Sequence, residues 1–387
     1  MGSIIPFGRC DIFSNNIKSL FWMSNVTAPI CYSKVSFYNI IKYNISTIIW
    51  KDNIVENYLK QIPRNTELKT FFGPSAEEIV KDINLENKTC LITGANGSIG
   101  LELTRCLSLR DCNVLMACRN IYKATRDTKD FCEKSERLSF YDLNLASLLS
   151  VKECANRIRR NEKKIDIVIL NAATFGIPWS LTEDTLETTF QVNCLSQYYL
   201  LLLLSTTLAP DARVVFTSAE SHRNIKWPNG DMPIPNVDDL SLPKYEYTSI
   251  KSYNISKLCG ILLVHYLSDH WSSTERSVFC AHPGSFIRTG LCRNWWFYEM
   301  LYFAMLPFTK SIVQGASTII YCATSPELKG STAAYFKDCK PCDESDLAKN
   351  FCMSYRVHDL IIEILRERVT DFDNILSDFK STSSKTV

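Results

Sequence analysis

The sequence predicts an α/β fold in which a doubly wound, mostly parallel sheet carries helices on both faces. From Lys88 onward, short apolar runs of strand length alternate with amphipathic segments of helix length, which is the pattern of such sheets. A glycine-bearing loop, Thr93–Gly100, separates the first run from the first helix. Polar or special residues follow nearly every run, at the edge where open α/β sheets bind ligands. These three observations indicate a Rossmann-type sheet with a ligand site along its carboxyl edge.

Composition narrows the class of protein. The chain has 387 residues, enough for one large α/β domain with an appendage. Its net charge of +2 argues against a surface that binds nucleic acid. The 16 cysteines have no disulfide-framework spacing, which predicts reduced thiols. The five histidines form no ligand cluster. We therefore predict no metal centre and no nucleic-acid partner.

The termini and the longest apolar run bear on location and domain boundaries. The N-terminus lacks the build of a secretory signal, and Leu200–Leu204 is too short to span a bilayer. We therefore expect a cytoplasmic protein without a transmembrane segment.

Trp22 and Trp50 lack the intervening Gly and Tyr pattern of a proline-binding WW domain. We assign residues 1–75 to an extension of unassigned structure, 76–366 to the dinucleotide-binding domain and 367–387 to a C-terminal tail.

The elements follow in chain order. Ser75–Ile83 is predicted to be a short amphipathic helix that leads into the core. The predicted strands are Cys90–Ile92, Val114–Cys118, Leu138–Tyr141, Ile165–Leu170, Arg213–Thr217 and Val278–Ala281, and Tyr335–Phe336 is the candidate last edge strand. The residues just past the carboxyl ends of these runs are Gly94, Arg119, Asp142, Asn171, Ser218 and Pro283-Gly284.

The glycine loop has the sequence order of a phosphate cradle. It follows the apolar run Cys90–Ile92 and precedes Leu101–Leu109, whose apolar residues recur at helical spacing. Small residues let the backbone approach a pyrophosphate, whose charge the free N–H groups at the helix start would face. An ordinary turn also uses glycine, so the loop alone leaves that alternative open. The polar residues past the other runs favour the cradle.

Two charged residues are candidates for cofactor recognition. Arg119 ends the second strand, where dinucleotide folds place the group that contacts the adenosine ribose. An arginine there suits the 2′-phosphate of NADP, whereas an acidic residue would suit NAD. A surface arginine at a strand end is the alternative. Asp142, after the third run, is a candidate acceptor for the adenine amine, or else a helix-capping aspartate.

A second group of residues predicts acid–base chemistry. Tyr253 and Lys257 share one helix face because they lie four positions apart. A tyrosine hydroxyl, with a pKa near ~10, transfers protons poorly at neutral pH, and a neighbouring ammonium would lower that pKa. By itself the pair also fits an exposed helix surface. Ser218, just past a strand, could hydrogen-bond a substrate carbonyl, and Asn193 could reach the lysine through a water molecule.

Together these motifs resemble the short-chain dehydrogenase/reductase family, over about residues 85–365. The family's T-G-x-x-x-G-x-G loop is similar to Thr93–Gly100, its N-A-G turn to 171–173, its Y-x-x-x-K to 253–257 and its P-G turn to 283–284. One departure is that Gly97 and Ser98 are exchanged relative to the usual order. The resemblance implies catalytic roles for Tyr253 (general acid/base), Lys257, Ser218 (which also binds substrate) and Asn193. The cofactor-binding residues it implies are Thr93, Gly94, Asn96, Gly97, Ser98, Ile99, Gly100, Arg119, Asp142, Leu143, Asn171, Ala172, Tyr253, Lys257, Pro283 and Gly284.

The resemblance also implies a function. It points to an NADP(H)-dependent oxidoreductase that interconverts a carbonyl and an alcohol on a lipophilic, steroid- or retinoid-like molecule. The aromatic stretch Asn294–Phe308 matches the family's substrate-binding lid, with a core-packing helix as the alternative. The rival function is a signalling or scaffold protein that binds the nucleotide but turns over little, with protein partners left unassigned. Family members also add the nucleus and the mitochondrion to the cytoplasm as expected locations.

Overall fold

The computed structural model describes residues 73–129, 134–225, 235–284, 287 and 310–383. The predicted extension 1–75, apart from its last three residues, and the aromatic stretch 294–308 lie outside these ranges. None of the helices within the described ranges is both long enough and apolar enough to cross a membrane.

The seven predicted strands are all present within a few residues of their expected bounds, and an eighth strand that the sequence did not predict follows the last of them. They are β1 (Thr89–Thr93), β2 (Asn113–Cys118), β3 (Leu138–Asp142), β4 (Ile165–Leu170), β5 (Leu208–Thr217), β6 (Ser277–His282), β7 (Ala334–Lys337) and β8 (Lys340–Cys342).

Within the described residues these strands form one eight-stranded sheet in the order β3–β2–β1–β4–β5–β6–β7–β8. All neighbours are parallel except β7 and β8, which pair antiparallel as a short hairpin. Tyr335–Phe336, the candidate edge strand, lies in β7, and the edge itself is β8. The predicted doubly wound, mostly parallel sheet is therefore confirmed.

Helices cover both faces of this sheet. They are α1 (Ala76–Val80), α2 (Ser98–Ser108), α3 (Ile121–Lys129), α4 (Leu148–Asn161), α5 (Ser196–Leu204), α6 (Val237–Leu240), α7 (Ser249–His270), α8 (Ile312–Thr324), α9 (Phe351–Arg368) and α10 (Phe372–Ser381). Residues from α4, α5, α7, α9 and α10 share one apolar core with one face of the sheet. Residues from α1, α2, α3 and α8 share a second core with the other face.

Local sequence explains the helices that position the site. In α5 every residue of SQYYLLLLL is buried, as expected of a helix that is apolar all round. Helix α7 begins after Thr248, whose side-chain oxygen accepts a hydrogen bond from Lys251 N and so caps the helix. Helix α10 falls within the predicted C-terminal tail, and its Phe372, Leu376 and Phe379 are buried in the same core as α7.

Candidate active site

A cavity of about 590 Å³ opens at the carboxyl edge of the sheet, where the sequence places its polar residues. Most of the predicted site residues line it. They are Gly94, Asn96, Gly97, Ser98, Ile99, Gly100, Arg119, Leu143, Asn171, Ala172, Ser218, Tyr253, Lys257 and Pro283. Thr93, Asp142, Asn193 and Gly284 do not line the cavity, although each adjoins a lining residue in the chain. The fold thus brings segments far apart in sequence to one site.

The glycine loop forms the floor of one end of this cavity. Gly94 has a φ of +63°, and a Cβ there would lie 2.8 Å from the Cα of Ala172. A Cβ on Gly100 would lie 2.4 Å from the carbonyl oxygen of Gly94. Both positions therefore require glycine, and the open backbone between them is a cradle of the kind a pyrophosphate needs.

The exchanged pair sits in this loop without strain. Gly97 is the N-cap of α2 with an ordinary φ of −80°, and Ser98 is the first residue of the helix. A Cβ on Gly97 would lie 3.3 Å from Gly94 O, a close contact that a small shift relieves. The loop therefore accommodates Ser98 in its present conformation.

Thr93 holds the loop in place from behind. Its buried hydroxyl donates to Gln197 Oε1 at 2.7 Å and accepts from the backbone N–H groups of Asn171 and Ala172 at 3.0 and 3.1 Å. The Asn171 amide donates to Thr93 O at 3.0 Å. These bonds tie β1 to the turn after β4, so Thr93 shapes the cavity wall without reaching the cavity.

The other wall of the same end carries cationic residues. Arg119 follows β2, is exposed, and makes no hydrogen bond or ion pair with any residue that the structure describes. Lys123, on the first turn of α3, also lines the cavity. Asp142 is the exposed last residue of β3, and the next residue, Leu143, is the one that lines the cavity.

Tyr253 and Lys257 project from α7 at the opposite end. The Lys257 Nζ lies 5.5 Å from the Tyr253 ring centroid and donates to the backbone oxygen of Thr217 at 2.8 Å. The Lys257 side chain is buried, which lowers its pKa to about 8 because burial disfavours the ammonium. The Phe175 ring packs edge-on against the Tyr253 ring at a centroid distance of 4.9 Å. This contact gives the tyrosine ring an apolar neighbour.

Ser218 follows β5, and its buried hydroxyl has no hydrogen-bond partner among the described residues. A buried, unpaired hydroxyl costs free energy unless a ligand or water satisfies it. Since Ser218 lines the cavity beside Lys257, a polar atom of a bound molecule is the natural partner for this hydroxyl.

Asn193 lies in a π-helical turn, Gln191–Leu195, just before α5. Its Oδ1 accepts from Thr174 N at 2.7 Å, and its Nδ2 donates to Thr174 O at 3.0 Å and to Ser256 Oγ at 3.1 Å. Ser256 Oγ in turn donates to Tyr253 O at 2.7 Å. Asn193 thus joins the loop after β4 to α7, and π-helical turns are frequent at functional sites.

Sequence reasoning missed two residues that build this site, Gln197 and Lys310. Gln197 Nε2 donates to Ala172 O at 2.8 Å and to Asn193 O at 3.0 Å, so one buried amide spans the loop after β4 and the π-helical turn. Its spacing of four from Asn193 was the available signal. Gly284, at a φ of +116°, lies against Lys310, and a Cβ there would lie 2.5 Å from Lys310 Cδ.

The buried His282 ends β6 directly before Pro283. Burial lowers its pKa to about 4, and the nearby Glu220 carboxylate partly opposes this shift.

His222 is held by hydrogen bonds to two loops. Its Nδ1 lies 2.8 Å from Ala219 O, and its Nε2 accepts from Ser345 N at 3.2 Å. These contacts structure the loop after β5, and His222 does not line the cavity.

Comparisons with known proteins identify the family. The family model for short chain dehydrogenases matches residues 88–227. The WW domain-containing oxidoreductases of Drosophila melanogaster and Homo sapiens are 38% and 36% identical to this chain over 301 and 299 residues, covering 76% of this chain and 72% of each relative. Retinol dehydrogenase 12 of Mus musculus is 32% identical over 288 residues, covering 73% of this chain and 88% of that protein.

Solved structures agree at the level of the fold. An uncharacterised protein from Mycobacterium paratuberculosis superposes with a TM-score of 0.61 at 23% identity, over 76% of this chain and 98% of that chain. A short chain dehydrogenase from Shigella flexneri, solved with NADP, superposes with a TM-score of 0.51 at 18% identity, over 66% and 98% of the two chains. Sequence identity across three quarters of the chain, the family model and this cavity lead to one conclusion: the chain belongs to the short-chain dehydrogenase/reductase family of oxidoreductases.

Proposed function

We propose that this protein is an NADP(H)-dependent oxidoreductase that interconverts a carbonyl and an alcohol on a lipophilic small molecule. The observation that carries the proposal is the convergence of Tyr253, Lys257 and Ser218 with the glycine loop around one cavity. The family uses nicotinamide cofactors, and the choice of NADP(H) over NAD(H) rests on Arg119. An arginine that follows β2 and has no partner among the residues that the structure describes suits a 2′-phosphate.

The residues present fit such a cofactor. Gly94 and Gly100 leave a cradle that a Cβ would fill, in which the loop residues Asn96–Gly100 would hold the diphosphate at the start of α2. Arg119 would hold the 2′-phosphate, with Asp142 and Leu143 beside the adenine. Asn171, Ala172, Pro283 and Gly284 would flank the nicotinamide, with Thr93 supporting their positions from behind.

The cofactor, when bound, supplies or accepts a hydride, and the chain's own residues handle the proton. In the reducing direction the Ser218 hydroxyl would donate a hydrogen bond to the substrate oxygen, and Tyr253 would transfer its proton to that oxygen. Lys257, which carries an ammonium below a pH of about 8, would stabilise the resulting phenolate and hold ribose hydroxyls of the cofactor. Asn193 would keep α7 and the loop after β4 in register for these contacts.

The lipophilic substrate is inferred from apolar residues of the cavity wall and from the aromatic ring that packs on Tyr253. Ile177 and Val192 line the cavity, and Phe175 packs on the tyrosine ring. Binding pockets for small molecules are lined mainly by apolar groups with a few placed polar atoms. The relative named retinol dehydrogenase 12 is consistent with a substrate of this class.

Arg119→Asp tests the cofactor assignment. The purified protein and this variant are titrated with NADPH and NADH while nicotinamide fluorescence is followed. Wild type should prefer NADPH, and Arg119→Asp should shift the affinity ratio toward NADH by about tenfold or more, because a charge-assisted hydrogen bond of about 1.5–3 kcal/mol is lost. Wild type that binds neither nucleotide would overturn the cofactor assignment. A variant that keeps the wild-type preference would show that another residue recognises the phosphate.

A further inference from the structure

Lys123 has contacts that the proposed function does not use. Its backbone N–H donates to the Asn120 side chain at 2.8 Å, which fixes the residue in the first turn of α3. Its ammonium reaches back to the glycine loop and donates to Asn96 O at 3.3 Å. Lys123 and Arg119 line the same cavity. The cavity therefore has two cationic side chains from one short stretch of the chain.

The two cations differ in what already holds them. Arg119 is unpaired within the described residues, whereas the Lys123 ammonium lies 3.0 Å from Asp127 Oδ2, one helical turn further along α3. The Lys123 side chain is 45% exposed, so this ion pair is screened by water and weak. Asp127 does not line the cavity. A stronger anion inside the cavity could therefore take Lys123 from Asp127 at little cost.

Asp127 does not depend on Lys123 for a partner. Its carboxylate accepts from Arg126 Nη2 at 2.8 Å and from Arg126 Nε at 3.1 Å. Releasing Lys123 would thus leave the Asp127 carboxylate charged and still bonded. This arrangement lets the lysine exchange partners while the acid stays in place.

We propose that Lys123 is a second contact for the 2′-phosphate of NADP(H), and that Asp127 weakens the preference for that cofactor by competing for the lysine. A phosphate monoester carries a charge of about −1.5 to −2 at neutral pH, more than one carboxylate offers. The bound phosphate would therefore take the lysine from Asp127, while Lys123 remains on the same wall as Arg119. This inference rests on the proposed NADP(H) function. It extends that function by naming two residues that set the strength of the preference for NADP(H) over NAD(H).

Single and double variants of the full-length protein test the exchange. Lys123→Gln, Asp127→Asn and the double variant are titrated with NADPH and with NADH at low ionic strength. Lys123→Gln should weaken NADPH binding about tenfold, as expected for one charge-assisted hydrogen bond, and change NADH binding less than twofold. Asp127→Asn should tighten NADPH binding about two- to threefold, the size of an exposed ion pair. In the Lys123→Gln background, Asp127→Asn should have no effect.

Lys129→Gln is the matched control, because it removes the same charge from the exposed last residue of α3, outside the cavity. It should leave both affinities unchanged. If Lys123→Gln weakens NADPH and NADH equally, the lysine only supports the loop through Asn96 and the proposal is wrong. If Asp127→Asn changes NADPH affinity equally with and without Lys123, the effect comes from long-range electrostatics and the proposed competition for Lys123 is refuted. Wild type that binds neither nucleotide would overturn the proposed function itself. The two outcomes above would overturn only the roles given to Lys123 and Asp127.

Discussion

Two lysines mark the two ends of the cavity, and their surroundings are opposite. Lys123 stands at the rim, 45% exposed and paired with a carboxylate. Lys257 is 4% exposed, and its ammonium contacts a backbone carbonyl. The exposed charge stays partly hydrated and can bind another charge, but salt screens that interaction. The buried charge is disfavoured, so its pKa falls to about 8. In the proposed function, one residue type would therefore serve ligand recognition at one end and proton handling at the other.

The largest effect that separates the two ends is expected at Lys257. Because the lowered pKa leaves Lys257 protonated only below a pH of about 8, NADPH affinity and turnover of wild type should fall as pH rises through that value. Lys257→Met should bind NADPH about tenfold more weakly at pH 7 and should lack the pH dependence. Lys123→Gln should keep the wild-type profile. Wild-type affinity that stays level up to pH 10 would contradict the buried-ammonium account.

Stability gives the same comparison a second readout. The folded pKa of Lys257 lies near 8 and its ordinary value is 10.5, so burying the ammonium costs about 3 kcal/mol at pH values below 8. That penalty is relieved as pH rises from 8 toward 10.5. Between pH 8 and 10.5, the free energy of unfolding of wild type, measured by urea unfolding, should therefore rise relative to that of Lys257→Met.

The smallest effect is expected at the exposed end, in the glycine loop. Gly97→Ser combined with Ser98→Gly restores the usual family order. Gly97 has an ordinary φ, and Ser98 already fits the first turn of α2, so the exchange stores no strain to release. We expect the NADPH dissociation constant to change by less than about threefold, within the range of a small N-cap effect. Tightening by tenfold or more would show that Ser98 obstructs the cofactor.

Much of the fold could be predicted because it depends on local apolar runs. The buried strands β1, β2, β4 and β6 appear in the sequence as short apolar runs, and Gly94 and Gly100 mark a loop where a Cβ would clash with the backbone. Strand β8 escaped prediction because all three residues of Lys340–Cys342 are exposed. An exposed edge strand has no burial pattern to mark it.

The lining of the cavity was predictable where polar residues follow strand ends, as at Ser218 and Arg119. It was less predictable where position depends on packing. Gln197 lies inside an apolar helix region, and only the folded chain shows its amide joining Asn193 to Ala172. Of the two neighbouring residues that the resemblance implied at the end of β3, Asp142 lies outside the cavity lining and Leu143 lines it. Spacing along the chain identifies a strand end to within about one residue, and that residue decides which side chain faces the ligand.

The most direct test of the account is transfer of deuterium from NADPH labelled at nicotinamide C4 to a lipophilic aldehyde, by wild type and by Tyr253→Phe. Wild type should yield the alcohol with one deuterium on the former carbonyl carbon, detected by mass spectrometry. Tyr253→Phe removes only a hydroxyl, so NADPH binding should persist while the rate falls by about 10²–10⁴-fold, the usual contribution of a general acid. A variant that keeps the wild-type rate, or a wild type that binds NADPH and yields no labelled alcohol from steroid and retinoid carbonyls, would contradict the proposed chemistry.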